Sequence, residues 1–224
     1  MKKFALAAAT LVALSAPVAA ASLMIDPALT SPAPMSTDWT GFYAGVVAGY
    51  GFGNTNYTLA GTTTGIPIGG ALGGATAGYN QQFQQFVLGG EADFAWSGVT
   101  GSKVVTGTKV ASNLGWQGTI RGRAGVVFDP VPVMAYATAG LAVGGLTTTL
   151  DTAGAKPYSG TQVGWTAGVG IEGKVSDQMT LKAEYAYADL GTATVPANSF
   201  LTGFPGGKSH VTEQTFKLGA NWHF

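Results

Sequence analysis

Cysteine is absent, which removes disulfides, thiolate nucleophiles and cysteine-based metal sites at once. Charge is scarce: Asp, Glu, Lys and Arg make up 10% of the chain, where a globular protein carries about 25%. The charges also cancel, 11 basic against 11 acidic. No cationic surface of the kind that neutralises phosphates is therefore expected, and no nucleic-acid partner. Histidine occurs twice, as His210 and His223. Past the N-terminus every apolar run is interrupted by polar residues, so no helix is expected to cross a membrane. Strands remain, because a strand needs to show lipid only every second residue. Glycine, by contrast, is plentiful at 35 of 224 residues, and that length suits one domain or two at most.

Lys2 and Lys3 precede a mostly apolar run, Phe4 to Leu14, and Pro17-Val18-Ala19-Ala20-Ala21 supplies small residues where a signal peptidase would cut. The pattern predicts a secretory signal peptide over residues 1–21. Residues 22–38 carry Pro27, Pro32 and Pro34 among Ser and Thr, and read as an extended periplasmic leader. Residues 39–224 are expected to form one barrel domain.

The last ten residues set the pattern for that domain. Phe216, Leu218, Ala220, Trp222 and Phe224 fall on one face of an extended strand, and Thr215, Lys217, Gly219, Asn221 and His223 on the other. An apolar face with aromatic ends, closing the chain on a bare Phe, fits the final strand of a barrel in lipid. Strand one repeats the alternation, with Phe42, Ala44, Val46, Ala48, Tyr50 and Phe52 outward and Tyr43, Gly45, Val47, Gly49 and Gly51 in the lumen. Further strands are expected at about Gly70–Gln81, Gln85–Ser97, Leu114–Phe128, Val133–Gly144, Val163–Lys174 and Met179–Leu190. Between them, Asn54–Gly69, Gly98–Asn113, Gly145–Gln162 and Gly191–Thr212 read as long loops. Gln82–Gln84, Asp129–Pro132 and Ser176–Gln178 read as tight turns. Eight strands joined alternately by long and short connections predict an all-β fold: an eight-stranded antiparallel transmembrane β-barrel, an up-and-down meander with short periplasmic turns and long outer loops. Aromatics at strand ends, such as Trp39 with Phe52, Phe86 with Trp96 and Trp116 with Phe128, would form two interfacial girdles. The location expected is the bacterial outer membrane, with its lipid and lipopolysaccharide as surroundings.

The same alternation points Glu91, Asp93, Arg121, Arg123, Glu172, Lys174, Lys182, Glu184 and Lys217 into the lumen. Acids on the third strand face arginines on the fourth, and the sixth and seventh strands repeat the arrangement. Charges in so narrow an interior are tolerable only when paired, and eight strands enclose little more than their own side chains. The expectation is a charge-zipped plug in a protein with a structural and surface-interaction role. The alternatives are a narrow small-solute pore lined by the same residues, and capture of haem or another ligand by outer loops.

Three local patterns point to chemistry. Gly168-Val-Gly170-Ile-Glu-Gly173 matches a dinucleotide fingerprint, but that motif must open a helix, and here it lies inside an alternating strand. Ser209, His210 and Glu213 could compose a hydrolase, yet adjacent residues of an extended chain point to opposite faces. No enzyme, catalytic residue or metal site is expected. His210, with Tyr57 and Tyr158, sits on segments read as outer loops and is the first candidate for an axial haem ligand. Otherwise no cofactor is expected.

Several stretches in order resemble one family: Trp39-Thr-Gly-Phe-Tyr-Ala-Gly, Gly78-Tyr-Asn with Leu88-Gly-Gly-Glu-Ala-Asp-Phe, Thr119-Ile-Arg-Gly-Arg-Ala-Gly, Gly164-Trp-Thr-Ala-Gly and Lys182-Ala-Glu-Tyr-Ala-Tyr-Ala-Asp-Leu-Gly. It is the small outer-membrane β-barrel "porin family" of Gram-negative bacteria, which includes surface antigens and haemin-binding proteins and is similar to the transmembrane domain of OmpA. The resemblance covers about Trp39 to Phe224. It implies assembly in the outer membrane, with Phe216, Leu218, Trp222 and Phe224 as the signal read by the barrel-assembly machinery. It also leaves room for a host or surface ligand on the outer loops, and does not by itself imply transport.

Overall fold

The computed structural model describes residues 38–59, 62–105, 108–128, 130–199 and 206–224. The expected signal peptide and all of the leader but Asp38 lie outside them. Eight strands follow one another: β1 (Gly41–Leu59), β2 (Thr62–Phe83), β3 (Phe86–Val105), β4 (Thr108–Phe128), β5 (Val133–Leu150), β6 (Tyr158–Lys174), β7 (Met179–Val195) and β8 (Gly207–His223). Each pairs antiparallel with the next, and β8 returns to β1 to close the barrel. Closure gives every strand a neighbour on both sides, and the β6–β7 seam is laddered over Trp165–Lys174 and Thr180–Asp189 only. No helix among the described residues is long and apolar enough to cross a membrane.

Outward positions carry the apolar side chains. Phe42 is 66% exposed, Ile120 72% and Leu141 64%, and Val46, Val163, Val169, Ile171 and Leu218 are exposed beside them. Water would not tolerate so continuous a belt, whereas acyl chains would. The inward side chains through the middle of the barrel are buried, with half-buried glycines such as Gly45, Gly49 and Gly170 among them.

The strands are longer than the sequence suggests: the first two segments read as loops are largely strand, and strands extend into both ends of the other two. Asn54 pairs with Pro67 and Thr58 with Thr63, so β1 and β2 run on as a ladder to the hairpin tip. Residues of 98–113 pair likewise between β3 and β4. Runs of Gly, Thr and Asn look like breakers when read alone. Threonine is β-branched, however, and a closed barrel always offers a neighbouring strand to extend along. Inside the first hairpin Thr55, Ile66 and Ile68 stay buried, which keeps its alternation in register with the barrel below.

Two irregularities re-aim the inward face. In β4 the register shifts between Leu114 and Trp116; Ser112 and Leu114 point inward on one side of Gly115, and Arg121 and Arg123 on the other. In β7 the shift falls between Asp189 and Thr192. There Gly191 adopts a left-handed conformation (φ 69°), as the first residue of a glycine bulge does, and the buried set passes from Leu190 to Val195. The opposite end is drawn tight by Gln84, also left-handed (φ 56°), by the turn at 130–132 and by the connection 175–178.

Candidate functional site: the charged lumen

The interior is layered. At the turn end Trp39, Val87, Val127, Met134 and Tyr136 form an apolar cluster. Toward the hairpin end Ile68, Val99, Leu114, Ala142, Leu146, Leu190 and Val211 form a second. The charges lie between the two. Trp39 is fully buried, not a girdle residue as its aromatic character suggested. It precedes β1 on the inward parity of Tyr43 and folds under the lumen, with its edge to His223 at 6.2 Å between centroids.

Arg121 is the hub. Its Nη2 donates to Glu91 Oε1 and Asp93 Oδ2, both at 2.6 Å, and its Nη1 donates to Glu184 Oε1 at 2.7 Å. Lys217 reaches Asp93 at 2.9 Å and Glu184 at 3.2 Å. Lys182 reaches Glu91 at 2.6 Å. Arg123 pairs with Glu172 and comes within 3.9 Å of Glu91. Four acids thus meet four bases, and the central charge closes on itself. Burial makes that closure necessary, because an uncompensated ion in this interior would carry a heavy desolvation penalty.

The pairing crosses the lumen more than neighbour ladders suggest. Glu172 and Lys182 are opposite each other on β6 and β7, yet Glu172 engages Arg123 of β4 and Lys182 engages Glu91 of β3. Long cationic side chains reach across an interior only a few side chains wide, so they pair with carboxylates beyond the neighbouring strand. Lys174 is outside the network altogether. It ends β6 one rung below Glu172, donates to the Asp38 carbonyl and lies 5.5 Å from the Trp39 ring centroid. Nearby, the Thr40 N–H donates to Asp38 Oδ1 at 2.8 Å, which holds that carboxyl below its ordinary range.

The charge layer also takes in Tyr43, Asn221 and His223, which the sequence placed on inward faces without a role in it, and Tyr136 and Thr180, which it did not single out. Tyr43 donates to Glu91 Oε2 at 2.9 Å and Tyr136 to Glu184 Oε2 at 3.2 Å. The Arg123 guanidinium sits 3.8 Å from the Tyr136 centroid and 5.9 Å from that of Tyr43, a cation–π clamp. Each ring covers a glycine directly opposite on the next strand, Gly78 under Tyr43 and Gly170 under Tyr136. A Cβ on Gly78 would lie 2.4 Å from the Tyr43 hydroxyl, and one on Gly170 2.5 Å from the Tyr136 ring. These tyrosine–glycine pairs, spaced along the inward parity, are the signal the sequence offered. Thr180 and Asn221 complete Glu172, donating at 2.5 and 2.8 Å. His223 stacks on Tyr43 with centroids 5.4 Å apart.

Glu213 stands apart. It is 1% exposed and accepts from Gln117 Nε2 at 3.0 Å, while its Oε2 has no hydrogen-bond partner. The sequence reading ended its last loop at Thr212 and gave Glu213 no face; it lies in β8, facing inward between the charges and the hairpin-side apolar cluster. A cavity of about 30 Å³ adjoins Lys217, Asp93 and Gln117, room for one or two waters.

The remaining candidates are on strands rather than loops. His210 faces outward on β8, its Nδ1 3.0 Å from Thr192 Oγ1 and its Nε2 3.5 Å from Asp189 Oδ1. Ser209 is buried on the opposite face of the same strand. Tyr57 of β1 shares its hydroxyl with Ser112 at 3.0 Å and with Thr148. Tyr158 opens β6, and Gly168–Gly173 lie inside it with no helix following. Phe216, Leu218, Trp222 and Phe224 all face outward and exposed. No cluster of three or more metal-binding side chains occurs among the described residues.

Residues 5–224 match the family model of the outer membrane protein beta-barrel domain. The chain belongs to that family. It is 34% identical over 248 residues to the 31 kDa outer-membrane immunogenic protein of Brucella melitensis biotype 1, covering 100% of both chains. It is 32% identical over 199 residues to a 22 kDa outer membrane protein of Rhizobium leguminosarum bv. viciae, covering 87% of this chain and 82% of the relative. In fold it is similar to the outer membrane protein OprG from Pseudomonas aeruginosa, with a TM-score of 0.54 and 13% identity over 83% of this chain and 96% of the other. The protein is therefore an outer-membrane β-barrel, and the apolar belt is its lipid face. Its curated relatives are named as outer-membrane proteins and not as enzymes.

Proposed function

We propose that this barrel is a sealed structural element of the outer membrane that offers its hairpin end as an interaction surface. One observation carries the reading: the carboxylates Glu91, Asp93, Glu172 and Glu184 are tied to cations from β4, β7 and β8 across the full width of the lumen. Apolar clusters close the interior on either side of that layer. A solute would have to part several buried ion pairs and both clusters to pass. The test is single-channel recording of the refolded mature protein in a planar bilayer. Folded protein that gives no steps supports the sealed scaffold, and reproducible steps replace it with the narrow pore.

Outer-membrane lipid and lipopolysaccharide are the surroundings proposed for the belt, and the barrel-assembly machinery the partner of the exposed β8 face. A haem or host-ligand role falls to the outer wall, where His210 is partly exposed. Ligation through His210 would have to displace Thr192 or Asp189 from its ring nitrogens, so His210→Ala should leave haem affinity unchanged.

A further inference from the structure

Above the lipid belt the outward face of β3, β4 and β5 is recessed. The belt ends there in an aromatic group: Phe94 meets Trp96 edge-on at 5.2 Å and stacks on Trp116 at 6.1 Å, and Trp96 is 68% exposed. Such rings mark the membrane–water boundary. Immediately beyond them lie two polar rungs across the three strands. Thr100, Asn113 and Thr147 form the first, and Ser102, Ala111 and Thr149 the second. Together with Gly101 and Lys109 they line a concavity of about 440 Å³, whose floor is low because Ala111 and Gly101 are small. Hydroxyls, one amide and one ammonium are the groups presented. Among the described residues no carboxylate faces outward on these strands between Trp116 and Lys109; Asp151 stands at the outer end, its N–H bonded to the Lys109 carbonyl. The wall of β7 and β8, by contrast, carries Asp189 at the corresponding height, beside Trp165.

We propose that this recess binds the phosphorylated sugar headgroup of a glycolipid in the surrounding leaflet. Its foot is set in the membrane, so the occupant that reaches it without cost is already anchored there. Sugar hydroxyls match the Thr, Ser and Asn side chains, and a phosphate matches Lys109. The assignment deepens the interaction role proposed above. It rests on the outward orientation of the hairpin end and not on the sealed lumen, so a conducting barrel would leave it standing.

Amine acylation of the refolded mature protein tests it, with Lys109 compared against Lys208, which is exposed on β8. The protein is placed in lipopolysaccharide-containing vesicles, in phosphatidylglycerol vesicles, and in phosphatidylglycerol vesicles with soluble core oligosaccharide. Lys109 should be modified about tenfold more slowly than Lys208 in lipopolysaccharide, as expected for one charge-assisted contact, and at a similar rate to Lys208 in phosphatidylglycerol. The double variant Thr147→Val, Thr149→Val, at positions that are not buried, should lose that protection while the barrel still folds. Equal protection of both lysines, protection in phosphatidylglycerol alone, or an unaffected double variant would overturn the site. Protection by the soluble sugar as strong as by the vesicle would assign it to a free glycan instead.

Discussion

Replacing Arg121 by methionine removes the hub of the lumen while keeping most of its volume. Three carboxylates lose a donor at 2.6, 2.6 and 2.7 Å. The four bases that balance Glu91, Asp93, Glu172 and Glu184 fall to three: Arg123, Lys182 and Lys217. Breaking a buried pair from one side typically destabilises by about 3–5 kcal/mol, because the stranded charge stays desolvated. That is roughly two to three and a half powers of ten in the folding equilibrium. Lys182 and Lys217 already lie within reach of all three stranded acids, so the lower part of that range is expected. Urea titration in phospholipid vesicles, followed by tryptophan fluorescence, reads the change directly. A control, Lys103→Met, removes an exposed lysine whose ammonium donates to the Gly65 carbonyl, and should shift stability by about 0.5 kcal/mol or less. A loss below about 1 kcal/mol for Arg121→Met, with the control behaving as stated, would mean that water or mobile ions already screen the layer. The closed-network argument would then fail, and with it the physical ground for a sealed lumen.

Other outcomes follow from the same geometry. Glu91→Gln should destabilise by about 3 kcal/mol or more by stranding Lys182 and Arg121, whereas Glu213→Gln should be neutral or stabilising by about 1 kcal/mol because no cation answers Glu213; paired urea titrations compare them. Gly78→Ala should cost about 1–3 kcal/mol by overpacking against Tyr43, and Tyr43→Ala in the same chain should relieve most of that clash in a double-mutant cycle. Trp39→Ala should cost about 3–5 kcal/mol through the cavity it leaves at the turn end, read as a lower temperature for the heat-modifiable gel shift. His210→Ala should leave both that gel shift and haem affinity within error of the parent protein.

Period-two alternation made the strand count and the inward charges legible, because side-chain direction in a strand is a local property that needs no partner. Glu91, Asp93, Arg121 and Arg123 could be aimed inward from their own segments alone. Which acid meets which base could not be read this way. Arg121 and Glu184 belong to β4 and β7, and their contact depends on barrel diameter and strand tilt, which no single segment encodes. Trp39 misled for a related reason: an aromatic beside a strand end suits a girdle or a plug equally, and only the lumen's unfilled floor decides. Composition hid the hairpins, since Gly, Thr and Asn count as breakers until a paired neighbour supplies the ladder.

Glu213 shows how these failures compound. Once Gly191–Thr212 is taken as a loop, the residue after it has no assigned face, and its carboxylate passes for a solvated one. With β8 running from Gly207, odd parity carries Ser209, Val211, Glu213, Thr215 and Lys217 inward in one line. Lys217 is the nearest base along that line, but Asp93 and Glu184 already hold it. A fifth acid above a balanced four-against-four layer can be accommodated only at a cost to stability, and the barrel keeps Gly51 beside it, two residues along β1 from its register partner Gly53, where a Cβ would come within 2.2 Å of Glu213 Oε1. That glycine leaves space for the carboxylate where an alanine would fill it. The unpaired acid is therefore built into the packing of β1 against β8, and the stability gained by Glu213→Gln measures what the barrel gives up to keep it.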